Sequence, residues 1–374
     1  MLIGKEKLKE IAITAGVDQI GVTTAEPLYY MHKKLQLRAD EGRISPFEEP
    51  DPDSRITPQH LLTGCRSIIT LAVPYAAPDH LLPETEIGPK GMVARCAQGI
   101  DYHHIVENKA TRIAEAIRVE AASSFSYRIL TDRSPLLERE LAANSGLGWI
   151  GENCTLINPI YGSYTALGTI LVDRDIQPDE AVSPSCLGCG QCRSACPTGA
   201  IAKPFTMDPY RCLSYLTQAA GVIPREMRPA FGNHIYGCDR CQDACPHNQD
   251  PVSSPISELA FPFFPASPLL IPLLELTRRE YELTIGLTSA GWRGKTTLQR
   301  NVVIALGNIG DKTAVKPLSR LLENDPRSLI RLHAAWSLGK IGGSKAVFAL
   351  EKSLKYDRDN EVREETILAL EACS

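Results

Sequence analysis

Seven cysteines of this chain stand in a spacing that suits iron and sulfide chemistry. The first set, Cys186, Cys189, Cys192 and Cys196, forms the pattern C-x2-C-x2-C-x3-C-P, and a shorter set that also ends in proline follows at Cys238, Cys241 and Cys245. Three cysteines in this spacing wrap a tight loop around one cubane cluster, and the fourth ligates the neighbouring cluster. The pattern therefore predicts two 4Fe-4S clusters and a protein that transfers single electrons.

Two cubane clusters need eight thiolates, and the spacing distributes them between the two sets. One cluster is assigned to Cys186, Cys189, Cys192 and Cys245. The other is assigned to Cys196, Cys238 and Cys241, which leaves one position open. Cys212 is the only nearby cysteine that can fill that position, so we expect it to be the eighth ligand.

Structural zinc and disulfides are the two alternatives for these cysteines. Zinc sites use paired C-x2-C knuckles, which do not explain a triple followed by a cysteine–proline. The amino terminus has no secretory character and a chain of 374 residues does not need covalent staples, so we expect reduced cysteines and a cytoplasmic protein. The other four cysteines, Cys65, Cys96, Cys154 and Cys373, are interpreted as small buried or half-buried residues.

The elements before the cysteines predict an α/β domain over residues 1–178, followed by a two-cluster domain over 179–255. Apolar runs predict strands at 20–22, 67–73, 126–130 and 166–172, with helices near 8–16 and at 101–121. We expect a sandwich with a mixed sheet. No glycine-rich nucleotide motif lies on a strand-to-helix turn, which argues against a nicotinamide site.

Asp132 stands out in this domain because it directly follows a predicted strand. Ligands bind at the carboxyl ends of strands in open α/β folds. The sequence also predicts a helix opened by Ser134 and Pro135, which Asp132 would cap, and capping is the simpler role for this residue. Arg139, about one turn into that helix, would be a salt-bridge partner or an anion contact.

The last part of the chain repeats at an interval of 32 residues. The sequence Leu-Gly-Asn-Ile-Gly at 306–310 returns as Leu-Gly-Lys-Ile-Gly at 338–342. A period of this length with paired amphipathic helices predicts HEAT-like repeats over 291–374, joined to the cluster domain by a connecting segment at 256–290. Such an array presents a surface to a large partner, or it simply covers the rest of the chain.

Overall composition is that of a globular protein, with 43% hydrophobic residues, 22% charged residues and a net charge of −4. The apolar run at 269–276 is too short for a membrane crossing, so no membrane association is expected. Residues 290–374 contain 14 Lys and Arg against 10 Asp and Glu, a basic surplus of four. That surplus is typical of a solvated helical surface and only weakly indicates phosphate binding.

Several motifs together resemble the epoxyqueuosine reductase family over essentially the whole chain. They are Asp-Tyr-His at 101–103, Thr-Asp at 131–132 with Pro-Leu-Leu-Glu-Arg at 135–139, Gly-Trp-Ile-Gly-Glu-Asn at 148–153, the double cysteine pattern, Cys-Leu-Ser-Tyr-Leu-Thr at 212–217 and Tyr-Gly-Cys-Asp at 236–239. The resemblance implies a cobalamin-dependent enzyme with two 4Fe-4S clusters, related to reductive dehalogenases. It would remove the epoxide oxygen of epoxyqueuosine at the wobble position of a tRNA anticodon, the last step of queuosine synthesis.

The resemblance also implies roles for individual residues. Asp132 would protonate the leaving oxygen. The candidates for holding cobalamin or substrate are Arg55, Arg95, Arg139, Ser214 and Gln218. Electrons would come from a soluble flavodoxin-type or ferredoxin-type donor to a monomeric enzyme. The helical repeats, with Arg293, Lys295 and Arg300 near their start, would hold the tRNA stem.

The chain departs from common corrinoid signatures at a few positions. The motif D-x-H-x-x-G that supplies a histidine to cobalt begins at Asp101 but has Val106 in place of glycine, so we expect no histidine ligand from it. His103 and His104 are then interpreted as ordinary helix residues. Two other functions stay open: a corrinoid reductase acting on a small molecule, and a non-catalytic electron-transfer protein.

Overall fold

A computed structural model describes residues 2–76, 87–121, 124–250, 252–260 and 263–373. These residues divide into two compact units. The first unit contains residues 1–78, 101–210 and 240–261, and the second contains 79–100, 211–239 and 262–374. No helix in the described ranges is both long enough and apolar enough to cross a membrane.

The strands, in chain order, are short except for two that have eight residues. They are β1 (Gln19–Thr24), β2 (Ser67–Pro74), β3 (Met92–Val93), β4 (Tyr127–Leu130), β5 (Trp149–Ile150), β6 (Leu156–Ile157), β7 (Thr165–Val172) and β8 (His234–Tyr236). All but β3 and β8 belong to the first unit.

The helices number sixteen in the described part of the chain. Those of the first unit are α1 (Lys5–Thr14), α2 (Tyr29–Asp40), α3 (Pro52–Ile56), α4 (Tyr102–Ala121), α5 (Glu138–Asn144), α6 (Gln191–Ser194), α8 (Arg240–Asp243) and α9 (Ser257–Ala260). Those of the second unit are α7 (Leu213–Gln218), α10 (Leu270–Glu275), α11 (Arg278–Leu283), α12 (Gly294–Ile309), α13 (Val315–Asn324), α14 (Ser328–Ile341), α15 (Ser344–Tyr356) and α16 (Asn360–Glu371).

The first unit is built on a four-stranded sheet in the order β1-β2-β7-β4. Every pairing in this sheet is antiparallel, so the expectation of a mixed sheet was wrong. The apolar runs of β2 and β7 are buried on both faces, a pattern typical of strands covered by helices on both sides. Because a strand that is buried on both faces has the same apolar pattern in a parallel or an antiparallel sheet, the sequence does not predict its direction.

Helices cover the two faces of this sheet and make a three-layer sandwich. On one face a side chain at Gly168 of β7 would collide with Val106 of α4. On the other face Ala72 of β2 and Leu167 of β7 pack in one apolar cluster with Ala142 of α5. The carboxyl end of β4 leads from this sandwich into the loop that carries Asp132.

Helices α12 to α16 form the predicted repeats of the second unit. α12, α14 and α16 pack in succession, and glycines at equivalent positions let them approach closely: a Cβ on Gly307 would lie 2.6 Å from the Ser337 hydroxyl, and one on Gly339 would lie 2.7 Å from Ala369 Cβ. Gly310 closes α12 in the left-handed conformation that glycine adopts without strain. The 32-residue period therefore reflects a repeated close helix contact.

Arg300 of α12 is fully buried in this unit, with 0% of its surface exposed. Its guanidinium donates to the carbonyl oxygens of Ala219 and Gly221 at 2.6 and 2.8 Å and to that of Leu216 at 3.1 Å. Arg300 thus fixes residues 216–221 of its own unit. The expectation that it contacts tRNA was wrong, because a sequence does not reveal which face of a doubly covered helix is buried.

Candidate functional site

Asp132 lies in the loop between β4 and α5, and its backbone has the left-handed φ of 52°. Its side chain is half exposed, with 49% of its surface accessible. The predicted helix start at Ser134 and Pro135 was wrong, because α5 begins only at Glu138. Asp132 therefore caps no helix, and its carboxylate is available for other contacts.

Two residues at the start of α4 contact the Asp132 carboxylate. Tyr102 Oη donates a hydrogen bond to Asp132 Oδ2, and His103 Nε2 lies 3.8 Å from the same oxygen. His103 Nδ1 lies 2.6 Å from Asp101 Oδ1, and the rings of Tyr102 and His103 stack with centroids 4.2 Å apart. His103 is thus placed between two carboxylates, which the interpretation as an ordinary helix residue missed.

Asp101 is the inner member of this row. Its burial favours the neutral acid, but the hydrogen bond and charge of His103 outweigh burial and keep the pKa of Asp101 below its usual value. An ionised Asp101 orients the imidazole and leaves Nε2 directed at Asp132. The row Asp101–His103–Asp132 places an oriented imidazole beside the Asp132 carboxyl, where a shift of about 1 Å would bring the two groups into hydrogen-bond contact.

Glu138 is a second carboxyl beside Asp132, and sequence reasoning did not find it. It is 8% exposed, its Oε2 accepts from the Asp132 backbone N–H at 3.1 Å, and its Oε1 accepts from Ser134 Oγ at 3.1 Å. Burial, together with the negative charge of Asp132, raises the pKa of Glu138 to about 8.

The two predicted arginines of the first unit lie in different surroundings. Arg55 of α3 is buried, and its Nη1 donates to Glu48 Oε2 at 2.9 Å. Its Nε is buried and has no hydrogen-bond partner within the described ranges. Arg139 of α5 is exposed and donates to the Cys154 carbonyl oxygen. An unpartnered buried N–H is a donor that a bound anion or carbonyl oxygen would satisfy.

The other three predicted contacts belong to the second unit. The Arg95 backbone N–H donates to Asp239 Oδ2 at 2.7 Å. Gln218 Nε2 donates to the Ser214 carbonyl oxygen at 3.0 Å, and its Oε1 accepts from Trp292 Nε1 at 3.0 Å. Gln218 therefore already has internal partners at both ends of its amide.

Four of the predicted cluster cysteines line one cavity in the first unit. They are Cys186, Cys189, Cys192 and Cys245, and the same cavity is lined by Glu152, Asn153 and His247. The pKa of Cys192 is raised first by burial and then by the negative charges of Glu152, Cys245 and Cys186, all of which line this cavity. Thiolates converging in this way fit an iron-sulfur cube, whose positive irons offset their repulsion.

The remaining four predicted ligands are divided between the units. Cys196 and Cys241 belong to the first, and Cys212 and Cys238 to the second. Cys196 Sγ accepts from the Ala200 N–H at 3.3 Å, and such donors outweigh burial and lower the pKa of this thiol. Nowhere in the described chain do three His, Cys, Asp or Glu side chains group closely enough for a single metal ion.

The cysteines outside the double pattern are buried or half-buried, as expected. Cys65 is buried, and Cys96, Cys154 and Cys373 are partly exposed. Burial raises the pKa of Cys65 to about 11, so this thiol stays protonated.

Three family models match separate parts of the chain. A model of the 4Fe-4S double cluster binding domain matches residues 185–248, and a HEAT-repeat model matches residues 294–371. The model of epoxyqueuosine reductase QueG matches residues 55–133, the range that contains Arg55, the Asp101–His103 row and Asp132.

Known proteins are similar over nearly the full length. Epoxyqueuosine reductase of Bacillus cereus is 36% identical over 98% of this chain and 97% of its own, and that of Escherichia coli is 35% identical over 90% and 89%. A crystal structure of epoxyqueuosine reductase with an epoxyqueuosine-modified tRNA stem loop matches with a TM-score of 0.93 and 36% identity, covering 99% of this chain and 98% of the other. A Bacillus subtilis structure whose catalytic aspartate loop is swung out of the active site matches with a TM-score of 0.91 and 35% identity, covering 99% of each. With this identity over almost its entire length, the chain belongs to the epoxyqueuosine reductase family.

Proposed function

We propose that this protein removes the epoxide oxygen of epoxyqueuosine at the wobble position of tRNA, with Asp132 as the proton donor. The observation that carries the proposal is the row of Asp101, His103 and Asp132, with Tyr102 on the same Asp132 oxygen. It provides a half-exposed carboxyl that is oriented from within the protein and open to a large substrate. The similar proteins are epoxyqueuosine reductases, and we extend their substrate, epoxyqueuosine in tRNA, to this chain.

The atoms and electrons of the reaction define what the protein must supply. Converting an epoxide to an alkene and water consumes two electrons and two protons. Asp132 delivers a proton to the leaving oxygen, and Tyr102 and His103 hold its carboxyl in place while it does so. When bound, cobalamin and two 4Fe-4S clusters supply the electrons, because the clusters pass one electron at a time and a low-valent cobalt accumulates two.

The eight cysteines are the proposed cluster ligands. Cys186, Cys189, Cys192 and Cys245 would hold one cluster in the cavity that they line. Cys196, Cys212, Cys238 and Cys241 would hold the other. The match of this region to a double cluster binding domain supports the proposal.

Arg55 and Arg139 are the proposed cobalamin contacts of the first unit. The corrin periphery carries amide carbonyl oxygens and a phosphate, and the unpartnered Nε of Arg55 is a donor of the kind they need. Arg95, Ser214 and Gln218 are the proposed contacts of the second unit. Gln218 would have to break its existing hydrogen bonds to Ser214 and Trp292 before it could bind cobalamin.

Holding the tRNA stem is the proposed role of the helical repeats. Arg293 and Lys295 stay in the proposal and Arg300 does not, because its guanidinium is fully buried. Arg293 lies over the Trp292 ring at 4.7 Å, and Trp292 is exposed, so the pair offers a cation and an aromatic face together. A soluble flavodoxin-type or ferredoxin-type donor, a monomeric state and a cytoplasmic location complete the proposal.

An anaerobic turnover experiment tests this function. Reduced protein reconstituted with iron, sulfide and cobalamin is incubated with an epoxyqueuosine-bearing tRNA stem loop, and the nucleoside is analysed by mass spectrometry. The proposal predicts loss of one oxygen atom from the nucleoside and no dehalogenation of a haloalkene. Dehalogenation with an unchanged stem loop would instead indicate a small-molecule reductase.

A further inference from the structure

The loop between β4 and α5 is tied to a buried carboxyl that the reaction as described does not use. We propose that Glu138 is a positioning residue, whose carboxyl holds residues 131–137 so that Asp132 stays directed at the substrate. This inference rests on the proposed acid role of Asp132 and adds to it the element that keeps the acid in place.

Glu138, the first residue of α5, forms hydrogen bonds that reach back across the loop. One oxygen accepts from the backbone N–H of Asp132 and the other from the Ser134 hydroxyl, both at 3.1 Å. The same hydroxyl accepts from the Leu136 N–H at 3.3 Å. The Ser134 proton therefore points to Glu138, and a single carboxyl organises three loop residues.

The conformation of Asp132 explains why such a tie is needed. Its φ of 52° lies in the left-handed region, where residues with a side chain are strained. A hydrogen bond from its own N–H to a buried acceptor stabilises that conformation directly. Without this bond the loop would relax, and the carboxyl would leave Tyr102 and His103.

Charge makes this tie dependent on pH. The charged groups that act on Glu138 are Asp132, which disfavours its ionisation, and Arg139, which favours it. Burial and the charge of Asp132 raise the pKa of Glu138 in the closed loop, although the two hydrogen bonds act to lower it. The closed loop is therefore favoured most below the ordinary glutamate pKa, and this advantage is lost as pH rises to about 8 and does not change further above it. The loop should open more readily near pH 8 than in mildly acidic solution.

Two substitutions separate the hydrogen bonds from the charge. In Glu138→Gln the amide oxygen can accept from Asp132 N–H and the amide nitrogen can donate to Ser134 Oγ, but nothing titrates. In Glu138→Leu a side chain of similar volume fills the space and makes neither bond. Glu140→Gln on the same helix, where Glu140 bonds only weakly to Tyr30 at 3.5 Å, is the matched control.

Loop opening can be measured without any turnover. Arg133 lies exposed within the loop, so the rate of tryptic cleavage after Arg133 in native holoprotein reports the open population. We expect faster cleavage in Glu138→Leu at neutral pH, and in the wild type as pH rises from mildly acidic values toward about 8, relative to a peptide substrate that corrects for trypsin. Glu138→Gln should show no such rise with pH.

Turnover supplies the second readout. Glu138→Leu should lose at least about tenfold in kcat, the loss expected for one hydrogen bond, with little change in KM for the stem loop. Glu138→Gln should recover most of that loss and lack the decline in kcat that the wild type shows as pH rises toward about 8. Cleavage rates that are the same in wild type and Glu138→Leu would overturn the proposal. If cleavage changes as expected but no variant or wild type reduces the stem loop, the proposed function fails and the loop tie stands.

Discussion

Asp132 is oriented by contacts with both its side chain and its backbone. Tyr102 and His103 contact its carboxylate, and Glu138 accepts a hydrogen bond from its N–H. Each of these partners constrains a different part of the residue. A general acid held in this way loses little conformational entropy when the substrate binds, and this makes a positioned carboxyl an efficient proton donor.

Replacing Tyr102 with Phe tests the contribution of one of these contacts. The ring and its stacking on His103 remain, but the hydrogen bond to Asp132 is lost. Because this bond orients the acid and an ordinary hydrogen bond contributes about 0.5–1.5 kcal/mol, we expect kcat for the stem loop to fall by up to about tenfold.

Tyr127→Phe is the control for that measurement. It removes a tyrosine–carboxylate bond of the same kind, to Glu115, elsewhere in the first unit. Equal losses of kcat in the two variants would mean that the bond to Asp132 has no special role.

Sequence reasoning found the acid but not the residues that hold it. Asp132 was recognisable because it directly follows a strand, a position defined by local pattern. His103 is distant along the chain, and only folding brings it to Asp132. Glu138 was missed for another reason. Ser134 and Pro135 resemble a helix start, so the sequence predicts Glu138 inside a helix, whereas the observed helix α5 begins at Glu138.

At the scale of elements, the sequence predicted the repeats, but it predicted the sheet only in part. The 32-residue period located the repeats because equivalent close helix contacts recur at Gly307 and Gly339. The strands of the first sheet were found at nearly their observed places, but not their directions. Strand direction depends on long connections, and the apolar pattern of a doubly covered strand is the same either way.

A methyl group at Gly339 should destabilise the second unit. It would lie 2.7 Å from Ala369 Cβ and 2.8 Å from Ala369 Cα, and backbone atoms cannot yield as a flexible side chain can. We expect Gly339→Ala to cost about 1–3 kcal/mol and to lower the Tm of the second unit by several degrees. Gly4→Ala, in the first unit, where φ is −78° and nothing lies within 4 Å of the new Cβ, should leave the Tm of the second unit unchanged.

His333 of α14 makes the same unit sensitive to acid. Its Nδ1 donates to the Leu329 carbonyl oxygen at 2.7 Å, which leaves Nε2 to accept from the Ile223 N–H at 3.3 Å. Burial, with the charges of Arg228 and Arg300, lowers the pKa of His333 to about 3. His333 therefore stays unprotonated in the native state at pH values at which it takes up a proton in the unfolded state.

The pH dependence follows from that difference. A depressed folded-state pKa gives stability that is present at neutral pH and declines as pH falls below the unfolded value. Between about pH 7 and about pH 5.5 the wild type should lose about 1 kcal/mol more unfolding free energy than His333→Gln in urea titrations. Parallel losses in the two proteins would contradict this assignment.

At the scale of the whole molecule, the two units divide the proposed tasks. The first carries the acid and the cavity lined by four cysteines, and the second carries the helical repeats proposed to hold tRNA. The burial of Arg300 matters here, because reversing its charge would unfold the repeats rather than test binding.

Salt dependence of stem-loop binding tests the second task. Phosphate contacts release counterions, so the logarithm of the binding constant falls linearly with the logarithm of salt concentration. If Arg293 contacts a phosphate, Arg293→Gln should weaken binding and reduce the slope by about one. Lys9→Gln, on the exposed face of α1, is the control, and equal slopes in wild type and Arg293→Gln would exclude the contact.

Asp132→Asn tests whether Asp132, in the loop after β4, donates the proton in the reaction. The amide keeps the size and the loop bond to Glu138 but has no proton to give, so iron content, corrinoid content and stem-loop affinity should equal those of the wild type. In an anaerobic single-turnover reaction with an epoxyqueuosine-bearing stem loop, the variant should form product at least about 100-fold more slowly. Deoxygenation at the wild-type rate, with full cofactor content, would contradict the assignment of Asp132 as the proton donor.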